Sequence, residues 1–127
     1  MGLVGIVLVS HSAQLASGLR DLLRQVAGDE VRIEPAGGTA SGELGTSPEL
    51  IIEAGTRASA GAGVLVLADL GSAVLTTRAV LDDLPEARLV DAPFVEGAVA
   101  AAVTASTGAT LDEVLAAAEE ARDVAKF

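Results

Sequence analysis

The chain has 127 residues, half of them hydrophobic, and carries eighteen acidic against eight basic side chains for a formal charge of −10. That length predicts one domain, residues 1–127, with a single packed core. The charge disfavours nucleic acid and anionic lipid surfaces as partners, and aromatic residues, at 2%, are too few to build base-stacking platforms. There is no cysteine and only one histidine, which leaves out disulfides, thiol nucleophiles and a zinc cluster. No apolar run reaches the length of a membrane span, and the amino terminus shows no signal-like pattern, so a cytoplasmic protein is expected.

In chain order, Leu3–Val9 reads as a buried parallel strand, apolar on both faces. Ser10-His11-Ser12 follows, and from Leu15 the spacing turns helical, with Leu15, Leu19, Leu22, Leu23 and Val26 on one predicted stripe. Ser12 is a natural N-cap for that helix and Gly28 a natural stop. Val31–Pro35 predicts a second strand, and the glycine-rich stretch Gly37–Gly45 a flexible connection that matches no phosphate-loop or dinucleotide fingerprint.

Thr46-Ser47-Pro48-Glu49 opens a helix to about Ala60, with a hydroxyl cap, a first-turn proline and an early carboxylate. Val64–Ala68 is a third strand, closed by Asp69-Leu70-Gly71-Ser72 and followed by a helix to about Leu84. Ala87–Asp91 predicts a fourth strand, and Val95–Ser106 an alanine-rich helix in which Glu96 is a first-turn carboxylate that could border the site. Thr110-Leu111-Asp112-Glu113 forms a capping box for a last helix ending near Lys126.

This alternation predicts an α/β fold: an open, mainly parallel four-stranded sheet in the order 2-1-3-4 with helices on both faces. In that order strands 1 and 3 are neighbours at the switch point, where such sheets place their chemistry. His11 ends strand 1 and Asp69 ends strand 3, so topology alone brings them into one crevice. A carboxylate beside an imidazole fixes its tautomer and stabilises positive charge, leaving the other ring nitrogen free to take a proton or a phosphoryl group. The helix start after His11, with Ser10, Ser12, Gly71 and Ser72, would supply phosphate-binding amides and hydroxyls. From spacing alone, His11 is as readily a solvated polar residue and Asp69 a simple helix cap. Gly71-Ser72 lacks the flanking pattern of a nucleophile elbow, and Ser10 and Ser12 flank His11 too closely for a hydrolase triad.

Four segments in this order carry a resemblance: Val9-Ser10-His11-Ser12, Gly45-Thr46-Ser47, Ala68-Asp69-Leu70-Gly71-Ser72-Ala73 and Asp91-Ala92-Pro93-Phe94-Val95-Glu96-Gly97. Together they resemble the IIA-type domain of the dihydroxyacetone kinase phosphotransferase subunit (DhaM), itself similar to the mannose-family enzyme IIA of the sugar phosphotransferase system. The resemblance implies a mannose-type IIA fold and a phosphoryl relay. His11 would accept a phosphoryl group, at Nε2, from the phosphocarrier HPr, and pass it to ADP on the DhaL subunit of the DhaK–DhaL kinase. Asp69 would match the acidic residue beside the histidine. It further implies a homodimer with no metal or cofactor of its own. Two other functions fit the same scaffold: a sugar-transport IIA component serving a IIB protein, and a non-catalytic regulatory or dimerisation module.

Overall fold

The computed structural model of the chain describes residues 2–127. Four parallel strands, β1 (Gly5–Ser10), β2 (Ile33–Gly37), β3 (Val64–Ala68) and β4 (Ala87–Leu89), form one sheet in the order β2-β1-β3-β4. The helices are α1 (Ala13–Ala27), α2 (Pro48–Ala58), α3 (Gly71–Val80), α4 (Phe94–Ser106) and α5 (Leu111–Glu120). The predicted order 2-1-3-4 is the observed one.

The central strands are buried on both faces because their side chains alternate between two separate apolar clusters. Ile6, Leu8, Leu65 and Leu67 pack under α1, α4 and α5, against residues such as Leu19, Leu23, Ala101 and Val114. Val7, Val9, Val64 and Val66 point the other way, under α2 and α3, against Ile51, Ala54, Ala73 and Val80. With helices on both faces, a polar group on β1 or β3 reaches solvent at the strand ends. His11 and Asp69 occupy those ends.

Element boundaries moved where local forces outweigh the hydrophobic pattern. β1 begins at Gly5 rather than Leu3 and takes in Ser10, while β2 is displaced to Ile33–Gly37. Pro35 fits within β2 because that strand lies at the sheet edge, where its missing N–H costs no ladder bond. The fourth strand, at the other edge, pairs only over Ala87–Leu89; beyond it Asp91 turns outward to an ion pair with Arg122. α3 tightens into a 3₁₀ turn, Leu81–Asp83, before reaching Leu84. The last helix ends at Glu120 with a further 3₁₀ turn, well short of Lys126.

The predicted stripe on α1 is corrected. Ala16, Leu19 and Leu23 form its buried face, whereas Leu15, Leu22 and Val26 are each more than 40% exposed. These three lie on the flank of the helix, and the small Ala16 lets α1 sit close to β2 along the narrower face.

α2 starts as the sequence indicates: Ser47 Oγ accepts from the Leu50 N–H, and Pro48 occupies the first turn, where its missing N–H is harmless. α5 has the full reciprocal capping box between Thr110 and Glu113. None of the helices is long and apolar enough to cross a membrane, among the described residues.

Two glycines separate packing from propensity. A Cβ on Gly5 would lie 2.1 Å from the Ala58 carbonyl oxygen at the end of α2, so β1 approaches that helix only without a side chain. A Cβ on Gly18, in mid-helix, would meet nothing within 4 Å. Gly5→Ala is therefore expected to destabilise the fold by about 1–3 kcal/mol. Gly18→Ala should stabilise it by about 0.5–1 kcal/mol. Urea midpoints of the two variants check both signs, and a neutral Gly5→Ala would refute the packing argument.

Candidate active site

β1 and β3 are hydrogen-bonded neighbours with Val9 opposite Ala68, so the residues that follow them emerge side by side at the carboxyl edge of the sheet. The Asp69 N–H bonds to the Val9 carbonyl, carrying the ladder one residue beyond the strand. Asp69 Oδ1 then accepts from His11 Nδ1 at 2.9 Å and from the Leu70 N–H at 2.8 Å. Its Oδ2 accepts from the His11 N–H at 3.0 Å and the Ser10 hydroxyl at 2.9 Å. Both carboxylate oxygens are thus fully engaged. The Asp69 side chain is 10% exposed and that of His11 27%, so the ring reaches the surface while its partner does not.

The carboxylate has no proton to give, so Nδ1 carries a hydrogen, and in the neutral ring Nε2 is the nitrogen with the lone pair. Nε2 faces Ser72 Oγ at 2.5 Å, and in that tautomer the hydroxyl donates. Burial acts to push the Asp69 carboxyl up. The His11 amide, the His11 ring, the Ser10 hydroxyl and attraction to the ring outweigh that effect and hold it below its ordinary value.

Each predicted residue has a definite place. Ser10 is buried, and its hydroxyl donates to Asp69 while accepting from the Ser12 N–H at 3.0 Å, so it sits behind the carboxylate. Ser12 caps α1 by accepting from the Leu15 N–H. Gly71 and Ser72 are the first two residues of α3, and the Ala73 and Val74 N–H groups return to the Leu70 carbonyl. The Gly71 and Ser72 amides accordingly have no acceptor inside the helix. Gly37 packs against the start of α1, with a Cβ there only 2.6 Å from the Ser12 carbonyl oxygen, and the start of α3 faces Nε2 through Ser72. Glu96, expected as a carboxylate that could border the site, faces the end of the chain instead. It pairs with Lys126 at 2.8 Å, and that bond, with the attraction of the ammonium, lowers its carboxyl from the ordinary value.

The Gly37–Gly45 segment is built rather than loose. Thr39 and Glu43 exchange backbone and side-chain bonds across it, and the Gly45 N–H donates to the His11 carbonyl at 2.9 Å. Thr46 and Thr76, which the spacing did not single out, share a hydroxyl bond at 2.8 Å, and Thr76 also bonds the Ser72 carbonyl. The start of α2 thereby braces the turn that carries Ser72. A groove of about 600 Å³ opens beside the site between α3 and β4, bordered by Asp69, Gly71, Val74, Arg78 and Leu89.

A family model described as the PTS system fructose IIA component matches residues 5–115. The chain belongs to that family. It is 33% identical to the PEP-dependent dihydroxyacetone kinase 2 phosphoryl donor subunit DhaM of Listeria innocua, over 89% of this chain and 94% of that one. It is 40% identical to the corresponding DhaM subunit of Pantoea ananatis, again over 89% of this chain but only 26% of the relative, about a quarter of its length. The crystal structure of the unknown-function protein EF1359 superposes with a TM-score of 0.84 at 39% identity, covering 94% of this chain and 95% of that one. The resemblance carried by the four sequence segments holds, and the chain is a phosphotransferase-system IIA component with DhaM relatives.

The state of Asp69 gives this IIA site a pH signature. A carboxyl held low in the folded protein contributes stability that is full above its unfolded value, about 3.9. That contribution is lost as pH falls through the folded value. Asp69→Asn removes it, so the gap in urea midpoint between wild type and variant should be full at neutral pH and close in acid. A gap that does not change with pH would contradict the assignment.

Proposed function

We propose that this chain is the phosphoryl-relay subunit of a PEP-dependent dihydroxyacetone kinase, with His11 as the phosphoryl acceptor. The observation that carries the reading is the contact at the switch point: Asp69 Oδ1 lies 2.9 Å from Nδ1, which leaves Nε2 as the ring nitrogen turned to the surface. The DhaM names of the relatives supply the choice of pathway. The phosphoryl group would come from the phosphohistidine of HPr and go to ADP bound on DhaL of the DhaK–DhaL kinase. We read residues 1–127 as one IIA-type domain, working in the cytoplasm as a homodimer.

In the first transfer, the Nε2 lone pair forms the new N–P bond as the donor's N–P bond breaks. The ring gains positive charge as the bond forms, and the Asp69 carboxylate opposite Nδ1 stabilises it. Ser72 then turns its hydroxyl from Nε2 to a phosphoryl oxygen, and the Gly71 and Ser72 amides meet the anion at the positive end of α3. Ser10 keeps Asp69 in place, and Ser12 keeps α1 capped close behind His11. In the second transfer a β-phosphate oxygen of ADP attacks phosphorus, the N–P bond breaks, and Nε2 recovers its lone pair. Nδ1 keeps its hydrogen against Asp69 throughout, so the ring leaves as neutral imidazole in the onward step.

Intact mass after incubation with phosphoenolpyruvate, enzyme I and HPr tests this. Wild type should gain one acid-labile phosphoryl group and His11→Ala none, with the variant still folded because His11 lies at a rim. Adding DhaK, DhaL-bound ADP and dihydroxyacetone should then discharge the phosphoprotein. Incorporation into His11→Ala would overturn the reading.

A further inference from the structure

Ser72, His11 and Asp69 form one continuous hydrogen-bond chain, and that chain does not require a phosphoryl group to be useful. Ser72 Oγ lies 2.5 Å from Nε2, Nδ1 lies 2.9 Å from Asp69 Oδ1, and Asp69 is fixed from behind by Ser10. This is the arrangement of an activated serine nucleophile: the carboxylate sets the tautomer and the imidazole takes the hydroxyl proton. The sequence pattern conceals it, because Ser72 is at the start of a helix rather than on a nucleophile elbow.

Three further features bear on such a reaction. Ser72 is exposed, so an incoming carbonyl carbon can reach Oγ. The Gly71 and Ser72 amides are free of helical acceptors and adjoin the Ser72 side chain along the chain, so they are donors available to a developing oxyanion. Space around Gly71 is open, since a Cβ there would meet nothing within 4 Å, and the groove leading from it past Val74 to Leu89 offers an apolar wall with Arg78 on its border.

We propose that the dephosphorylated protein has a second activity: attack of Ser72 on small activated carboxylic esters, followed by hydrolysis of the acyl-serine. In the first half, the Ser72 proton passes to Nε2 as Oγ bonds to the carbonyl carbon. Collapse of the tetrahedral adduct breaks the ester C–O bond, and the leaving alcohol takes the proton from Nε2. In the second half a water molecule gives its proton to Nε2 and attacks the acyl carbon, and Ser72 departs with that proton. The sum is ester plus water to acid plus alcohol. Insofar as His11 is the phosphoryl acceptor, phosphorylation occupies Nε2 and turns this activity off.

Diisopropyl fluorophosphate and p-nitrophenyl acetate are the probes, used on protein never exposed to a phosphoryl donor. Mass and peptide mapping should find a single diisopropylphosphoryl group on Ser72, formed at least tenfold more slowly in His11→Gln. Ser72→Ala, a change at an exposed position, should reduce p-nitrophenyl acetate hydrolysis at least tenfold. An adduct on His11 or on another serine, equal labelling in His11→Gln, or undiminished hydrolysis by Ser72→Ala would each overturn the proposal. The last result would mean that the imidazole attacks the ester itself. Because no donor is present, failure here leaves phosphoryl incorporation unaffected, and failure of incorporation leaves the labelling result standing.

Discussion

The bond between His11 Nδ1 and Asp69 Oδ1 is the interaction on which the rest of the site depends, and it exists because β1 and β3 are parallel neighbours. A mostly buried carboxylate is costly unless its acceptor capacity is filled. Here four donors fill it: two amides, one hydroxyl and the ring. Three of the four come from Ser10 and His11, and the fourth is the next amide in the chain, so the end of β1 and the end of β3 are fastened by one side chain. Orientation of the ring and anchoring of the strand ends are therefore a single event. What is left over is a nitrogen lone pair at the surface, beside the start of α3.

An acidic chain that handles phosphate faces an electrostatic difficulty, since a charge of −10 repels the anion at long range. The site meets it with short-range, oriented dipoles. The Ser72 hydroxyl lies against Nε2 at the start of α3, whose first two amides have no helical acceptor, and backbone dipoles held by the fold cost little reorganisation when charge arrives. Leaving cations out of the immediate shell would also avoid holding a phosphoryl group too tightly in the proposed relay. The same dipoles would serve an oxyanion, so the two proposed reactions, transfer to Nε2 and attack by Ser72, draw on one geometry.

Much of this was legible in the sequence because the signals were long-range consequences of simple patterns. Strands apolar on both faces, separated by helices, imply a parallel sheet with covered faces, and the order 2-1-3-4 follows from right-handed crossovers. That order alone places Asp69 beside His11. What the pattern did not reveal is finer than helical or strand periodicity. The flank position of Leu15, Leu22 and Val26 depends on how closely α1 approaches β2 through Ala16. The brace from Thr46 to Thr76 joins residues thirty positions apart through hydroxyls that carry no spacing signature. The Gly37–Gly45 segment reads as flexible because glycine permits many conformations, yet its bonds to Ser10, His11 and Glu43 select one. The role of Ser10 behind Asp69, rather than at the phosphate, follows from a buried side-chain direction that no linear motif encodes.

Nitrogen NMR of the imidazole addresses the central claim most directly, and a single histidine makes the spectrum unambiguous. Long-range proton–nitrogen correlations on uniformly ¹⁵N-labelled protein should show that the neutral ring is protonated at Nδ1 and carries its lone pair at Nε2. After phosphorylation through HPr, the phosphoryl group should appear on Nε2 with Nδ1 still protonated. A neutral ring protonated at Nε2 in the free protein, or a phosphoryl group on Nδ1, would contradict the account.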